Sequence, residues 1–298
     1  MMTLLQRVSD EPIVIIKPNF RLALVIAVLL ALAWWIMALY FYQRETFLVW
    51  DDQHWTFSQA RNLLSTPYQI AGFVNPPWSL IPLIPFTFFP LPIAALLQLV
   101  IYFMILTGIV YKHGGGIRHL LLALASPITF FVAMETNIEW IVALAFLVPH
   151  QWSIPFLLVK PQVALGYVLT FTRHELIRGF FVTLALVLLS FVFWGFWIPD
   201  LLLSIQTNTL HRPVNFAPMV FITLPISVAI GAFLCWRGWR KRDPAQAVIG
   251  WLFFVPYIAH YSLLLPYTLF GVRYPRAALL INLVVWFALL RLLLPTIL

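Results

Sequence analysis

Residues 62–111 read NLLSTPYQIAGFVNPPWSLIPLIPFTFFPLPIAALLQLVIYFMILTGIVY, fifty residues without an Asp, Glu, Lys or Arg. A run this long and this free of charge is at home only in lipid. Just before it, at the exit of the first hydrophobic segment, stands the acidic pair Asp51-Asp52. The contrast organises the chain: a lipid-embedded body, with carboxylates gathered at one water-facing mouth.

Composition points the same way. The chain is 62% hydrophobic and 9% charged, whereas a soluble domain carries about 25% charged residues. A soluble protein is excluded. The 26 Phe and 13 Trp fit lipid-facing and interfacial positions. Many of the 22 Pro, such as Pro82, Pro85, Pro90 and Pro92, fall inside apolar stretches, where each removes a backbone donor and breaks or kinks a helix. Broken backbone at membrane depth is tolerated where it is buried in protein or lines a watery cavity, so a cavity is expected. The single cysteine, Cys235, rules out an internal disulfide and a thiolate metal cluster. The net charge of +8 is spread over loops and reads as topology and lipid contact, not nucleic-acid binding. No cleavable signal peptide is expected, because the first apolar run is long enough to span.

Uncharged runs predict an all-α, polytopic transmembrane helical bundle forming one domain over 1–298. The runs, uncharged but for Lys160 and Arg291, are Leu22–Gln43, Trp78–Phe89, Ile93–Tyr111, Leu120–Met134, Trp140–Val148, Ser153–Thr172, Gly179–Ile198, Met219–Trp236, Gln246–Leu265 and Ala277–Leu294, about ten segments, several of them short or proline-broken. With a cytoplasmic N-terminus and every segment crossing, Arg7, Lys17, Arg21, Arg173, Arg178, Arg237, Arg240, Lys241, Arg242 and Arg291 fall inside. Arg44, Arg61, Lys112, Arg118, Arg212, Arg273 and Arg276 then fall outside. The inside excess favours this orientation and places Asp51-Asp52 on the extracytoplasmic face of the cell membrane.

The first external loop, 44–77, is expected to hold an amphipathic surface helix from Asp51 to Thr66. Phe57, Ala60, Leu63 and Leu64 share one face at helical spacing, with Asp52, His54, Gln59 and Arg61 around it. Asp51 or Asp52 could simply cap that helix, since a carboxylate satisfies free backbone donors at a helix start. One cap is needed and two carboxylates are present. If an external carboxylate acts as a general base, these two are the best placed.

Lys160 is the only charge between Trp140 and Thr172. Such a residue costs about 2.5–3.5 kcal/mol on insertion scales and marks a functional site by default. It could bind a lipid phosphate, or only snorkel to headgroups. Glu135 and Glu139, four residues apart, are read as one helix face in a solvated hairpin turn, with a cavity role as the alternative. Arg273 and Arg276 flank Tyr274-Pro275 and read as interfacial anchors, with phosphate binding as the second reading. Gly114-Gly115-Gly116 lacks the Gly-Lys-Ser/Thr of a phosphate loop. There is no Asp-x-Asp nucleotide-sugar motif, and no His/Cys/Asp cluster has zinc-like spacing.

The order of transmembrane helix, acidic pair, surface helix and PYQIAGFVNPPWSLIPLIPF (67–86) resembles the first external loop of the GT-C glycosyltransferases. The closest likeness is to the bacterial alpha-mannosyltransferase-like group that uses polyprenyl-phosphomannose. Lys160-Pro161-Gln162, in PFLLVKPQVALGY (155–167), resembles a Lys-Pro-Gln motif of that group. Pro256, His260 and Tyr261 are similar to its C-terminal Pro, His and Tyr. Thr136-Asn137 stands where the group has Gly-Gln, and Ser65-Thr66 where a Gly usually precedes Pro-Tyr. The resemblance implies an inverting hexosyl transfer from a polyprenyl-phosphate sugar to a glycan, glycolipid or protein hydroxyl. It implies Asp51 or Asp52 as base, with Lys160, Gln162, His54, Tyr68, Asn75, His260 and Arg273 around the substrates. No cofactor is required, although some such enzymes use a divalent metal. A transporter, or a non-catalytic relative of these enzymes, is the alternative.

Overall fold

The computed structural model describes residues 19–45, 48–209 and 215–297, and no strand occurs among them. Arg7, Asp10, Glu11, Lys17 and Arg212 lie outside the described residues. Three helices are long and apolar enough to cross a membrane: Phe20–Arg44, Leu91–Lys112 and Arg173–Trp194. A bent pair, Ile117–Leu124 and Pro127–Glu135, makes a fourth if its halves count as one span. The chain is thus an all-helical membrane protein.

Helix α1 (Phe20–Arg44) and helix α2 (Leu91–Lys112) run antiparallel. The Trp35 indole donates to the Pro92 carbonyl at 2.8 Å, and the Phe20 and Tyr111 rings meet edge-on at the other end. Ala23, Ala27 and Ala31 recur every four residues on α1 and are fully buried, whereas Leu22, Val25, Leu29 and Ile36 on the other faces are exposed. Small residues let backbones approach where apolar lipid gives little hydrophobic drive to association.

Two ends of the molecule are thereby defined. At one lie Phe20, Tyr111 and Lys112; at the other, the exit of α1 and the start of α2. Segment Pro77–Phe88, expected to cross, is a 3-10 coil containing Pro82 and Pro85 that begins and ends on the α1-exit side. Trp78 packs against Trp197, and Phe88 lies under the Arg61 guanidinium. Lys112 and Arg118 therefore sit at the Phe20 end, not at the Asp51 end where unbroken alternation of crossings would put them.

Helices α3 (Ile117–Leu124) and α4 (Pro127–Glu135) climb back beside α1 with a 62° bend between them. Helices α5 (Glu139–Leu144), α6 (His150–Leu157) and α7 (Pro161–Ala164) are short, cut by Pro149 and Pro161. Helix α8 (Arg173–Trp194) follows, with a Thr172–Glu175 capping box at its start. Its last turn is tied to the first loop by the Trp194 indole donating to the Leu64 carbonyl, 2.6 Å. Helices α9 (Ile198–Thr209) and α10 (Pro218–Phe221) lie at that same end. Helix α11 (Leu224–Lys241) descends, α12 (Pro244–Leu252) ascends, α13 (Leu264–Arg273) descends and α14 (Pro275–Ile297) ascends.

The turn between α11 and α12 is built on close approach. A Cβ on Gly238 would stand 2.6 Å from the Ala247 nitrogen and 2.7 Å from its Cα. These are backbone atoms that cannot swing aside. Gly238→Val is expected to cost about 1–3 kcal/mol through overpacking, read as a lower thermal midpoint of the purified protein in detergent.

The expected surface helix does not form. Asp52–Thr56 is a π turn, Phe57–Gln59 a 3-10 turn, and residues 60–66 are turns and bends. Phe57 and Ala60 are buried in the main core, with Leu63 and Leu64 packed against it. The apolar face detected in the sequence is real, but it is spent on the protein interior, and a regular helix is not needed to deliver it.

Candidate functional site

The acidic pair is aimed by the residue before it. Trp50 adopts a left-handed backbone (φ 58°), which a bulky residue enters at a cost. Burial and two hydrogen bonds hold it there: its amide donates to the Met134 carbonyl and its indole to the Ala133 carbonyl, 2.9 Å. The chain leaves Trp50 directed back over the end of α4. Asp51 takes the position before the π turn, but its side chain makes no capping hydrogen bond. Capping, the simpler reading of the pair, is not what Asp51 does.

Asp52 is half-buried and meets the centre of the site. Its Oδ2 accepts a hydrogen bond from the Asn137 amide nitrogen and another, at 3.4 Å, from the Tyr261 hydroxyl. The same Asn137 side chain uses its oxygen to accept from Lys160 Nζ at 2.9 Å. Asp52 and Lys160 are thus one amide apart.

Lys160 is 6% exposed and gives a second hydrogen to Glu139 Oε1 at 2.6 Å. Glu139, 2% exposed, also accepts from the Ser262 hydroxyl at 2.7 Å. The ring of Tyr261 lies 4.9 Å from the ammonium. Lys160 therefore does not snorkel to the surface: burying a charge is tolerable only with a partner and satisfied hydrogens, and all of these are supplied within the protein.

The expectation for Glu135 and Glu139 needs correction. Helix α4 ends at Glu135, where Thr136 turns left-handed (φ 44°), and Glu139 opens α5. The two acids are not on one helix face, and Glu139 is not solvated. Glu135 faces His260 at 3.9 Å.

The other anticipated residues divide. His260 sits beside Tyr261 with its ring on Phe131, at the rim of the cluster. Gln162 follows Lys160 in α7, half-buried and outside the hydrogen-bond chain just described. His54 is exposed and stacks edge-on with Trp55. Tyr68 donates to the backbone carbonyl of buried Asn75 at 3.2 Å, so both shape the loop around a neighbouring cleft.

Arg273 is misplaced by the sequence reading. It ends α13, about 14 Å along the axis from Leu264 at 1.5 Å per residue, and pairs with Asp243 at 3.0 Å. Asp243 caps α12 right after Arg242, so Arg273 belongs to the far end and cannot reach a ligand held by Lys160.

Asn137, Glu139, Tyr261 and Ser262 complete the network; the sequence reading gave Glu139 a cavity role only as an alternative, noted Tyr261 only within the C-terminal Pro-His-Tyr likeness, and assigned no role to Asn137 or Ser262. One signal was available. Glu139 and Lys160 are single opposite charges in neighbouring apolar segments, and such charges seek each other. No group of three or more His, Cys, Asp or Glu suited to a metal ion occurs among the described residues. Comparison with protein-family models, curated proteins and solved structures gives no match, so the resemblance to GT-C enzymes stands on its motifs alone.

Proposed function

We propose that the chain is a membrane glycosyltransferase that moves a hexosyl group from a polyprenyl-phosphate carrier to an acceptor hydroxyl, with inversion, at the extracytoplasmic face. One observation carries it. A carboxylate and an ammonium, far apart in sequence, are held on the two ends of one amide at one end of a membrane protein.

The re-threaded chain supports the sidedness. Arg21, Lys112, Arg118, Arg173, Arg178, Arg237, Arg240, Lys241, Arg242, Arg273 and Arg276 lie toward the end away from the cluster. Among the described residues, Arg44, Arg61 and Arg291 are the arginines toward the cluster end. Basic loops face the cytoplasm, which supports an extracytoplasmic Asp52. The separation is sharper than the sequence alone suggested, because Lys112, Arg118, Arg273 and Arg276 join the basic end and only Arg291 moves the other way.

In the reaction, Asp52 accepts the proton of the acceptor hydroxyl as its oxygen attacks the anomeric carbon. The bond from that carbon to the phosphate oxygen breaks, and the electron pair leaves with the lipid phosphate. One base suffices for a single inverting displacement. Lys160 faces the leaving phosphate once Tyr261 swings off its third hydrogen, and in a site shut from water that contact is strong.

A polar conduit through the protein finds less support. Beyond Glu139 and Lys160, toward the basic end, the chain continues with Val142, Ala143, Val163 and Ala164, all in one buried apolar cluster.

The testing experiment is direct. Purified protein in nanodiscs is given radiolabelled polyprenyl-phosphomannose and polyprenyl-phosphoglucose with a mixed glycan acceptor. Release of free polyprenyl phosphate and labelled product is expected for one donor. A chain that leaves both donors intact is not this enzyme.

A further inference from the structure

A second concave site lies beside the first. It is a cleft of about 620 Å³ between the loop from Ser65 to Gly72 and the passage from α8 into α9. Sites for small ligands span about 300–1,000 Å³, so this is room for an oligosaccharide-sized molecule.

Its walls are pinned from several directions. Besides the Trp194 bond to Leu64, the Ser204 hydroxyl donates to the Phe73 carbonyl at 2.6 Å, and the Trp197 indole to Ser190 Oγ at 2.8 Å. With its indole hydrogen engaged elsewhere, the half-buried Trp194 offers the cleft carbon surface, as does the Tyr68 ring, while the buried Trp197 backs the wall. Against these stand the exposed Asp200 and Gln69 and the hydroxyl residues Ser65 and Thr66. Asp200 forms no ion pair among the described residues, and no Lys or Arg lines the cleft.

We propose that this cleft binds a neutral carbohydrate, the acceptor glycan of the transfer reaction. A sugar ring has apolar C–H faces that rest on indole and phenol rings, and a rim of hydroxyls that donate to a carboxylate and exchange hydrogen bonds with amides and hydroxyls. An anionic ligand would meet the Asp200 carboxylate with no compensating cation. The row of neutral hydroxyl and amide groups suits a polyol better than a bare ammonium. Burial, then Asp200, raise the Tyr68 pKa, so its hydroxyl stays protonated. The cleft also adjoins the first site: the hydroxyl of Thr56, one turn past Asp52, donates to the Ala71 carbonyl in the cleft wall at 3.0 Å. The acceptor assignment rests on the glycosyl-transfer reading; the binding of saccharide does not.

The test is a binding measurement on the full chain carrying Asp52→Asn, in nanodiscs. Mannotriose, maltotriose and choline are followed by saturation-transfer NMR and tryptophan fluorescence. One trisaccharide is expected to bind. Asp200→Ala should weaken it about tenfold or more, the loss of hydrogen bonds to a charged group, and Gln69→Ala by a smaller factor. Both positions are exposed, and an unchanged melting curve confirms intact folding. Failure of both trisaccharides to bind, equal affinity in Asp200→Ala, or binding of choline instead overturns the proposal. Saccharide binding by a chain that consumes no donor leaves the cleft standing and removes the transfer reaction. Donor consumption without saccharide binding does the reverse.

Discussion

Asp52→Asn is expected to lower sugar transfer about 10²–10⁴-fold, the usual contribution of a positioned general base, while Asp51→Asn has a much smaller effect. The sequence left the two acids equivalent. The structure separates them, because it is Asp52 that holds Asn137 and Tyr261 and so shares an amide with Lys160. Asn is nearly isosteric with Asp and can still accept a hydrogen bond, so the variant keeps the fold and loses the proton acceptor. Initial rates of labelled-product formation, with the thermal midpoint as a control, decide it. Equal losses at both positions, or a larger loss at Asp51, contradict the assignment.

The second large effect concerns Lys160 and Glu139. Lys160→Met leaves the Glu139 carboxylate buried without its ion partner, and breaking a buried pair from one side costs about 3–5 kcal/mol. Glu139→Gln strands the ammonium and is expected to cost a comparable amount. Lys160→Met combined with Glu139→Gln removes both charges together. Much of the lost stability should return, since replacing a buried pair by neutral groups is often close to neutral. Transfer should not return. Loss of the contact to the leaving phosphate is expected to lower turnover about 10²–10³-fold in the double variant, as for other preorganised charge-stabilising donors. Recovery of both stability and turnover would show that the pair is only structural.

Much of the fold was legible because the bilayer punishes charge. Leu22–Gln43 and Ile93–Tyr111 lie within helices of nearly those bounds, since long uncharged runs have no other stable state. The course of the chain between spans was not legible. Pro77–Phe88 is as apolar as a crossing helix, but Pro82 and Pro85 favour a 3-10 coil that runs along one end, and hydropathy does not register direction. That misreading moved Lys112 and Arg118 to the wrong end, and reading Gln246–Leu265 as one span, where α12 ascends and a separate α13 descends, did the same to Arg273 and Arg276. The segment after Asp52 failed for a different reason: helical spacing of Phe57 and Ala60 identifies a buried face, not the backbone geometry that presents it.

In the site, Asp52 and Lys160 stood out because each is a charge where lipid or its border disfavours one. Glu139 carries the same mark, but Glu135, four residues away, suggests a solvated helix face ahead of a cavity role; Thr136 in the left-handed region breaks that spacing. Asn137 was invisible as a site residue. A neutral amide leaves no trace in charge patterning, and its role as a bridge exists only in three dimensions.

The most direct test is a double-mutant cycle on lipid-phosphate release from the preferred polyprenyl-phosphate sugar, with wild type, Asp52→Asn, Lys160→Met paired with Glu139→Gln, and the combination of all three. If base and ammonium serve one displacement, the losses are strongly non-additive and the combined variant is little worse than the poorer of the other two, as found where residues act as a unit. Wild-type protein that releases no lipid phosphate, or variants whose losses simply multiply, would contradict a shared site.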